Sequence, residues 1–159
     1  MSILLGLGGP LWAIGAVPAC LGLSGAERVG IGAVHSVCII DDDESVRVAT
    51  TCLLRSLGHD VRTFASAEEF LTSPYVEEAV CLIVDVNMPR MTGLELQGRL
   101  REKGLETPII FITAYPEERA RARAFESGAV CYLDKPFDST TLIKCLDIAL
   151  GSEKDSVLE

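Results

Sequence analysis

Val37-Cys38-Ile39-Ile40-Asp41-Asp42-Asp43 decides the fold, because a short apolar run ends abruptly in acids. The pattern recurs. Cys81-Leu82-Ile83-Val84 runs into Asp85, and Ile109-Ile110-Phe111-Ile112 into Thr113. Val130-Cys131-Tyr132-Leu133 runs, past Asp134, into Lys135-Pro136. Such runs, separated by helical stretches, read as parallel strands buried on both faces. In an open parallel sheet, ligands bind outside the carboxyl ends of the strands. The sequence thus lines acids, a hydroxyl and an amine along one sheet edge.

The intervening segments support this reading. After a strand near 36–41, Val46, Ala49, Leu53, Leu54 and Leu57 form a helical stripe over 44–57, stopped by Gly58. Asp60 to Phe64 alternates as a strand does, and Ser66 with Glu69 forms a capping box for a short helix that Pro74 ends. A strand is expected near 80–85 and a helix near 93–103, closed by Gly104. A strand at 109–113 precedes a helix near 117–127 that stops at Gly128. The last pair is a strand at 130–133 and a helix near 139–150, closed by Gly151. These β/α units predict an α/β fold: a flavodoxin-like, doubly wound, five-stranded parallel sheet of order 2-1-3-4-5 with helices on both faces.

The 159 residues carry a net charge of −9. Such a surface makes a poor nucleic-acid binder, so direct nucleic-acid contact is not expected. The cysteines are Cys20, Cys38, Cys52, Cys81, Cys131 and Cys145, with no C-x-x-C spacing. Those inside strands are expected to be buried reduced thiols. Residues 1–35 differ in character: Ile3 to Leu23 is apolar and uncharged but interrupted by Gly and Pro. Three readings stand open for this extension: a disordered segment, a membrane segment, or a translation start placed too far upstream. The glycines and prolines and the lack of early Lys or Arg argue against a membrane role. The expected organisation is this extension, a domain over 36–150, and a short tail over 151–159.

The acids suggest chemistry. In the 2-1-3-4-5 order, strands 1 and 3 are neighbours at the switch point, so Asp41, Asp42 and Asp85 crowd together. Close carboxylates repel and invite a cation. Oxygen donors in an open site suit Mg²⁺ or Mn²⁺. Beside a metal, one carboxylate can attack phosphorus and become an aspartyl phosphate. Lys135 and Thr113 arrive from the neighbouring strands as cationic and hydroxyl partners for a phosphoryl group.

Several motifs together resemble the receiver domain of bacterial two-component response regulators. They are Ile39-Ile40-Asp41-Asp42-Asp43-Glu44-Ser45-Val46-Arg47, the Asp85-to-Leu96 stretch with Asn87-Met88-Pro89, Met91 and Gly93, Ile112-Thr113-Ala114, and Lys135-Pro136-Phe137. The spacings 42 to 85, 85 to 113 and 113 to 135 are similar to the family's, and the branch looks FixJ-type. The resemblance covers about 36–150. It implies Asp85 as phosphoacceptor. It further implies Mg²⁺ held by the side chains of Asp42 and Asp85, by the backbone carbonyl of Asn87, and by Asp41 through a metal-bound water. Lys135 would pair with the phosphoryl oxygens, Thr113 would swing to hydrogen-bond them, and Tyr132 would change rotamer as Thr113 moves. Asp43 falls outside the metal shell, and a cis bond is implied at Lys135-Pro136. Tyr115, beside the site, is expected to shield it from water.

The expected function is therefore a stand-alone cytoplasmic receiver, not an enzyme in the usual sense although it assists its own phosphorylation and hydrolysis. It would take a phosphoryl group from a histidine kinase or phosphotransfer protein and signal to a downstream protein partner. A homodimer could form through the surface of the fourth helix, fifth strand and fifth helix. Two rivals are a receiver-like module working without phosphate and an aspartyl-nucleophile phosphohydrolase of haloacid-dehalogenase type. The second would want an acid two residues after the nucleophile, where Asn87 stands.

Overall fold

The computed structural model describes residues 35–151. The expectations for the rest of the N-terminal extension and of the tail lie outside the described residues. β1 (Ser36–Ile40), β2 (Asp60–Phe64), β3 (Ala79–Asp85), β4 (Ile109–Thr113) and β5 (Cys131–Asp134) form one sheet of order β2-β1-β3-β4-β5. Every pairing is parallel. The expected topology is the observed one.

The helices are α1 (Glu44–Ser56), α2 (Ala67–Leu71), α3 (Gly93–Glu102), α4 (Glu118–Glu126) and α5 (Ser139–Ala149). Side chains start most of them. Asp43 accepts from the Ser45 N–H, Ser66 from Glu69, Thr92 from Glu95 and Asp138 from Thr141. Each removes one orphan amide from a first turn, worth about 1 kcal/mol. Glu69 reaches back past the cap and accepts from the N–H of the preceding residue, Ala65, at 2.7 Å. One element was not anticipated. Pro74–Val76 continues past the α2 stop as a 3₁₀ turn, capped by Ser73, and buries Val76.

Alternation along the strands divides the core into two layers. Val37, Ile39, Val61, Ile83, Ile110 and Ile112 face Leu54 of α1 and Leu142 and Leu146 of α5. Ile40, Phe64, Val84, Phe111 and Tyr132 face Phe70 of α2, Leu96 of α3 and Ala120 and Ala124 of α4. Helices therefore cover both faces. Full burial of each large side chain contributes about 1.5–3 kcal/mol, so the sheet centre anchors the strand ends that carry the polar groups.

The reduced-thiol expectation needs correction at one strand. Cys38 and Cys81 are free and buried, but Cys131 is bonded to Cys145 across the β5–α5 interface. The implied cis peptide at Lys135-Pro136 is present.

Candidate functional site

Asp41 follows β1 directly and is fully buried. Each of its polar groups is engaged. Its N–H donates to the Phe64 carbonyl at 3.1 Å. Its carbonyl accepts from Arg47 Nη1 at 2.6 Å, Oδ1 accepts from the Asp43 N–H at 2.8 Å, and Oδ2 accepts from Lys135 Nζ at 3.0 Å. Asp85 ends β3 and is 4% exposed. It is held more loosely, with Lys135 Nζ 3.7 Å from Oδ1 and the Asn87 N–H donating to that oxygen at 3.3 Å. Asp42 is exposed. Asp41, Asp42 and Asp85 each offer an oxygen within 4.8 Å of the others, the one such acidic group among the described residues.

This crowding shows in the proton affinity of Asp85. Burial pushes its carboxyl up from 3.8 to about 7; the nearby Asp41 charge adds to the rise, and Lys135 opposes it. Three carboxylates face one ammonium at this edge, so a further cation is electrostatically favoured. Two of the acids are buried and one is open to water. That donor set fits a hard divalent ion that keeps some of its waters, such as Mg²⁺ or Mn²⁺. Asp43 stands apart, since its carboxylate is spent on the α1 cap.

Thr113, at the end of β4, is buried. Its Oγ1 donates to Asn87 Oδ1 at 2.7 Å and accepts from the Tyr115 N–H at 3.0 Å. The hydroxyl is thus turned to Asn87. The main-chain N–H of Lys135 donates to the Thr113 carbonyl at 2.7 Å, which ties the two strand ends together. Tyr132 is not at the carboxylate cluster. It is buried against Phe111, ring centroids 6.3 Å apart, with the Arg121 guanidinium 5.6 Å from its own ring. Arg121 also donates to the Tyr132 carbonyl at 3.3 Å. The expected shielding by Tyr115 is not seen, because its ring is 74% exposed. Its backbone, not its ring, engages the site.

Three features escaped the sequence reading. Arg47 clamps the Asp41 carbonyl from the first turns of α1. The Asn87 side chain holds the Thr113 hydroxyl. Gly93 starts α3 so close to β3 that a Cβ there would lie 2.6 Å from the Asp85 carbonyl oxygen. Arg47 and Gly93 were visible in the motifs, but their contacts were not.

An apolar groove of about 690 Å³ adjoins the site, lined by Val46, Ala49, Leu53, Pro136, Phe137 and Leu142, with Lys135 at its rim. Among the described residues, no helix is long and apolar enough to cross a membrane.

Comparison with known proteins agrees with this geometry. The family model for the response regulator receiver domain matches residues 37–147. The transcriptional regulatory protein TdiR of Thauera aromatica is 38% identical over 124 residues, covering 78% of this chain and 55% of TdiR. The response regulator protein TodT of Pseudomonas putida is 40% identical over 114 residues, covering 72% of this chain and 50% of TodT. The chain spans about half the length of these relatives. The crystal structure of FixJ-N superposes with a TM-score of 0.67 at 35% identity, covering 74% of this chain and 94% of that one. Receiver domains of this kind generally bind Mg²⁺ at acidic residues, and the acidic cluster is present here. By sequence, fold and the residues at the strand ends, the chain belongs to the response regulator receiver domain family.

Proposed function

We propose that this chain receives a phosphoryl group on Asp85 from a phosphohistidine of a histidine kinase or phosphotransfer protein. The observation that carries this is the setting of Asp85: a buried carboxylate at a strand end, beside Lys135 and two further acids. In the transfer, an Asp85 carboxylate oxygen forms a bond to phosphorus as the donor's N–P bond breaks. The donor histidine leaves with the electron pair of that bond.

A divalent ion held by Asp41, Asp42, Asp85 and the Asn87 carbonyl would neutralise charge on the transferring phosphoryl oxygens. The chain's own groups do the rest. Lys135 Nζ, already within 4 Å of both buried acids, pairs with a phosphoryl oxygen. Asp41 stays fixed by its four partners and keeps the cluster in register. Thr113 exchanges Asn87 for a phosphoryl oxygen, and Tyr132 responds on the α4 side of β5. The groove between α1 and the start of α5 suits an apolar stripe on the donor's helix, which would bring its histidine to the rim where Lys135 stands. The phosphorylated form signals to a protein partner or to a second copy through α4, β5 and α5, where Phe125 and Ile148 are partly exposed.

The test is incubation with Mg²⁺ and acetyl phosphate, with Asp85→Asn alongside. The expected product is one acid-stable, base-labile phosphate on the wild type and none on the variant. A wild type that stays unlabelled, or a variant labelled equally, overturns the proposal.

A further inference from the structure

We propose that Cys131 and Cys145 form a reversible thiol–disulfide site that ties β5 to α5 and gives this domain an oxidant-sensitive input. The backbone carries the pairing. The two Cα atoms are 6.1 Å apart, inside the 4.4–6.8 Å range a disulfide spans without backbone movement. The residues lie 14 apart, on facing elements. Cys131 opens β5 and points into the α1/α5 layer with Leu133, while Tyr132 between them points into the other layer.

Proximity and access single out this pair. Cys131 is half-buried and is the more accessible of the two, whereas Cys145 is 5% exposed. Cys38 and Cys81 are fully buried, and burial pushes both thiols up to about 12, which leaves them almost no thiolate. Cys52 is exposed, on α1. Among the described residues, Cys131 and Cys145 alone combine a near partner with an entry route.

The oxidant class is a low-molecular-weight disulfide such as glutathione disulfide. The Cys131 thiolate attacks one of its sulfurs, and one glutathione thiolate leaves. The Cys145 thiolate then attacks the Cys131 sulfur of the mixed disulfide, and the second glutathione leaves. Two protein thiols lose two protons and two electrons, and the oxidant becomes two thiols. A strong reductant reverses both steps.

The position gives the bond a consequence. Among the described residues β5 is an edge strand, hydrogen-bonded to β4 alone. It carries Tyr132 and leads directly to Lys135. Tying its α5-facing side restrains the strand on which both residues depend. The oxidised domain is thus stiffer where phosphorylation would have to act.

The experiment uses the full chain carrying Cys20→Ser and Cys52→Ser, without any phosphodonor, so that its outcome does not depend on Asp85. The protein is treated with glutathione disulfide, quenched in acid, alkylated and analysed by mass spectrometry. The expected chain is lighter by two hydrogens, unalkylated at both positions, and linked between the Cys131 and Cys145 peptides. Dithiothreitol restores both thiols and lowers the thermal midpoint by about 5–10 °C. A further Cys145→Ser change should stop the reaction at one glutathione on Cys131. Amide exchange across β5 should slow on oxidation. Alkylation of both Cys131 and Cys145 after oxidant treatment, or a link that forms only in denaturant, overturns the site. Equal β5 exchange in both redox states overturns the restraint.

Discussion

The raised proton affinity of Asp85 makes the metal-free domain lose stability as pH rises. The folded carboxyl titrates near 7 and the ordinary one near 3.8, a difference of about 3 units. At about 1.4 kcal/mol per unit, the ceiling is about 4 kcal/mol. The sign follows from proton counting. Between the two values the folded state holds a proton that the unfolded chain has released, so stability falls with rising pH. It is fully present below about pH 4 and lost as the pH passes 7. Asp85 is almost wholly out of water, so solvent screening removes little of this. Local relaxation and sharing with Asp41 reduce it to about 2–4 kcal/mol. Asp85→Asn removes the titration and keeps the shape. In EDTA, urea unfolding at pH 5 should already favour the variant by roughly 1–2 kcal/mol, because the unfolded carboxyl has ionised by then and the folded one has not. At pH 8 the variant should be more stable by about 2–4 kcal/mol. Other shifted acids, such as Asp43 and Asp138, are common to both proteins and cancel in the difference. Mg²⁺ at 100 times its Kd should restore about 2.7 kcal/mol to the wild type and less to the variant. Parallel pH profiles from 5 to 8 in EDTA would refute the reasoning, because Asp85 would then carry no unusual proton.

Other substitutions test other parts of the edge. Lys135→Met leaves buried Asp41 and Asp85 without their ammonium, and should cost about 3–5 kcal/mol at pH 8 by urea unfolding. It should also raise the Asp85 titration midpoint further, read by NMR. Gly93→Ala places a methyl against the Asp85 carbonyl and Val84. It should destabilise by about 1–3 kcal/mol in thermal unfolding, with Mg²⁺ affinity falling as β3 shifts. Arg47→Met frees the Asp41 carbonyl and should weaken Mn²⁺ binding several-fold by paramagnetic resonance, while Arg47→Lys recovers part of it. Tyr115→Ala removes an exposed ring and should change stability by less than about 0.5 kcal/mol. With the ring in solvent, hydrolysis of the aspartyl phosphate should stay unchanged, and a faster rate would show that the ring turns over the site after phosphorylation.

The sheet was legible because its strands are buried on both faces. Cys81-Leu82-Ile83-Val84 admits no polar residue until the strand ends, so Asp85 marks that end without any structural knowledge. Asp43 was set apart from Asp41 and Asp42 only by the resemblance, whose acidic pair is the first two aspartates after the apolar run; its use as the α1 cap is visible only in the structure. Contacts to backbone were not legible. Arg47 reaches a carbonyl, which every residue possesses, so no residue type flags the pairing. The Asn87–Thr113 bond requires two strand ends to arrive at one height, which the β3–β4 register sets. Cys131 and Cys145 lie a strand, a loop and a helical turn or more apart. Their meeting depends on how α5 lands on the sheet, not on a spacing rule. The 3₁₀ turn at Pro74 was hidden by the same residue that signalled a stop, since proline suits both the end of one helix and the first turn of another.

The uneven bonding of the acids separates scaffold from reagent. Both carboxylate oxygens of Asp41 accept bonds of 3.0 Å or less, whereas the Asp85 carboxylate is held by a 3.3 Å bond from the Asn87 N–H and an ammonium 3.7 Å away. A phosphoryl group on Asp85 therefore displaces little, while the same group on Asp41 would break a tight network. What the modification must displace lies one strand away, in the 2.7 Å bond from Thr113 to Asn87. A neutral bond of that kind is worth about 1 kcal/mol net, and one to a charged oxygen about 1.5–3 kcal/mol. On the proposed reading, the exchange favours the turned Thr113 by about 1 kcal/mol, near a fivefold shift in population. That is a bias and not a lock. A tie that stiffens β5, or a partner that binds its outer face, acts on the same small free-energy difference and can outweigh it.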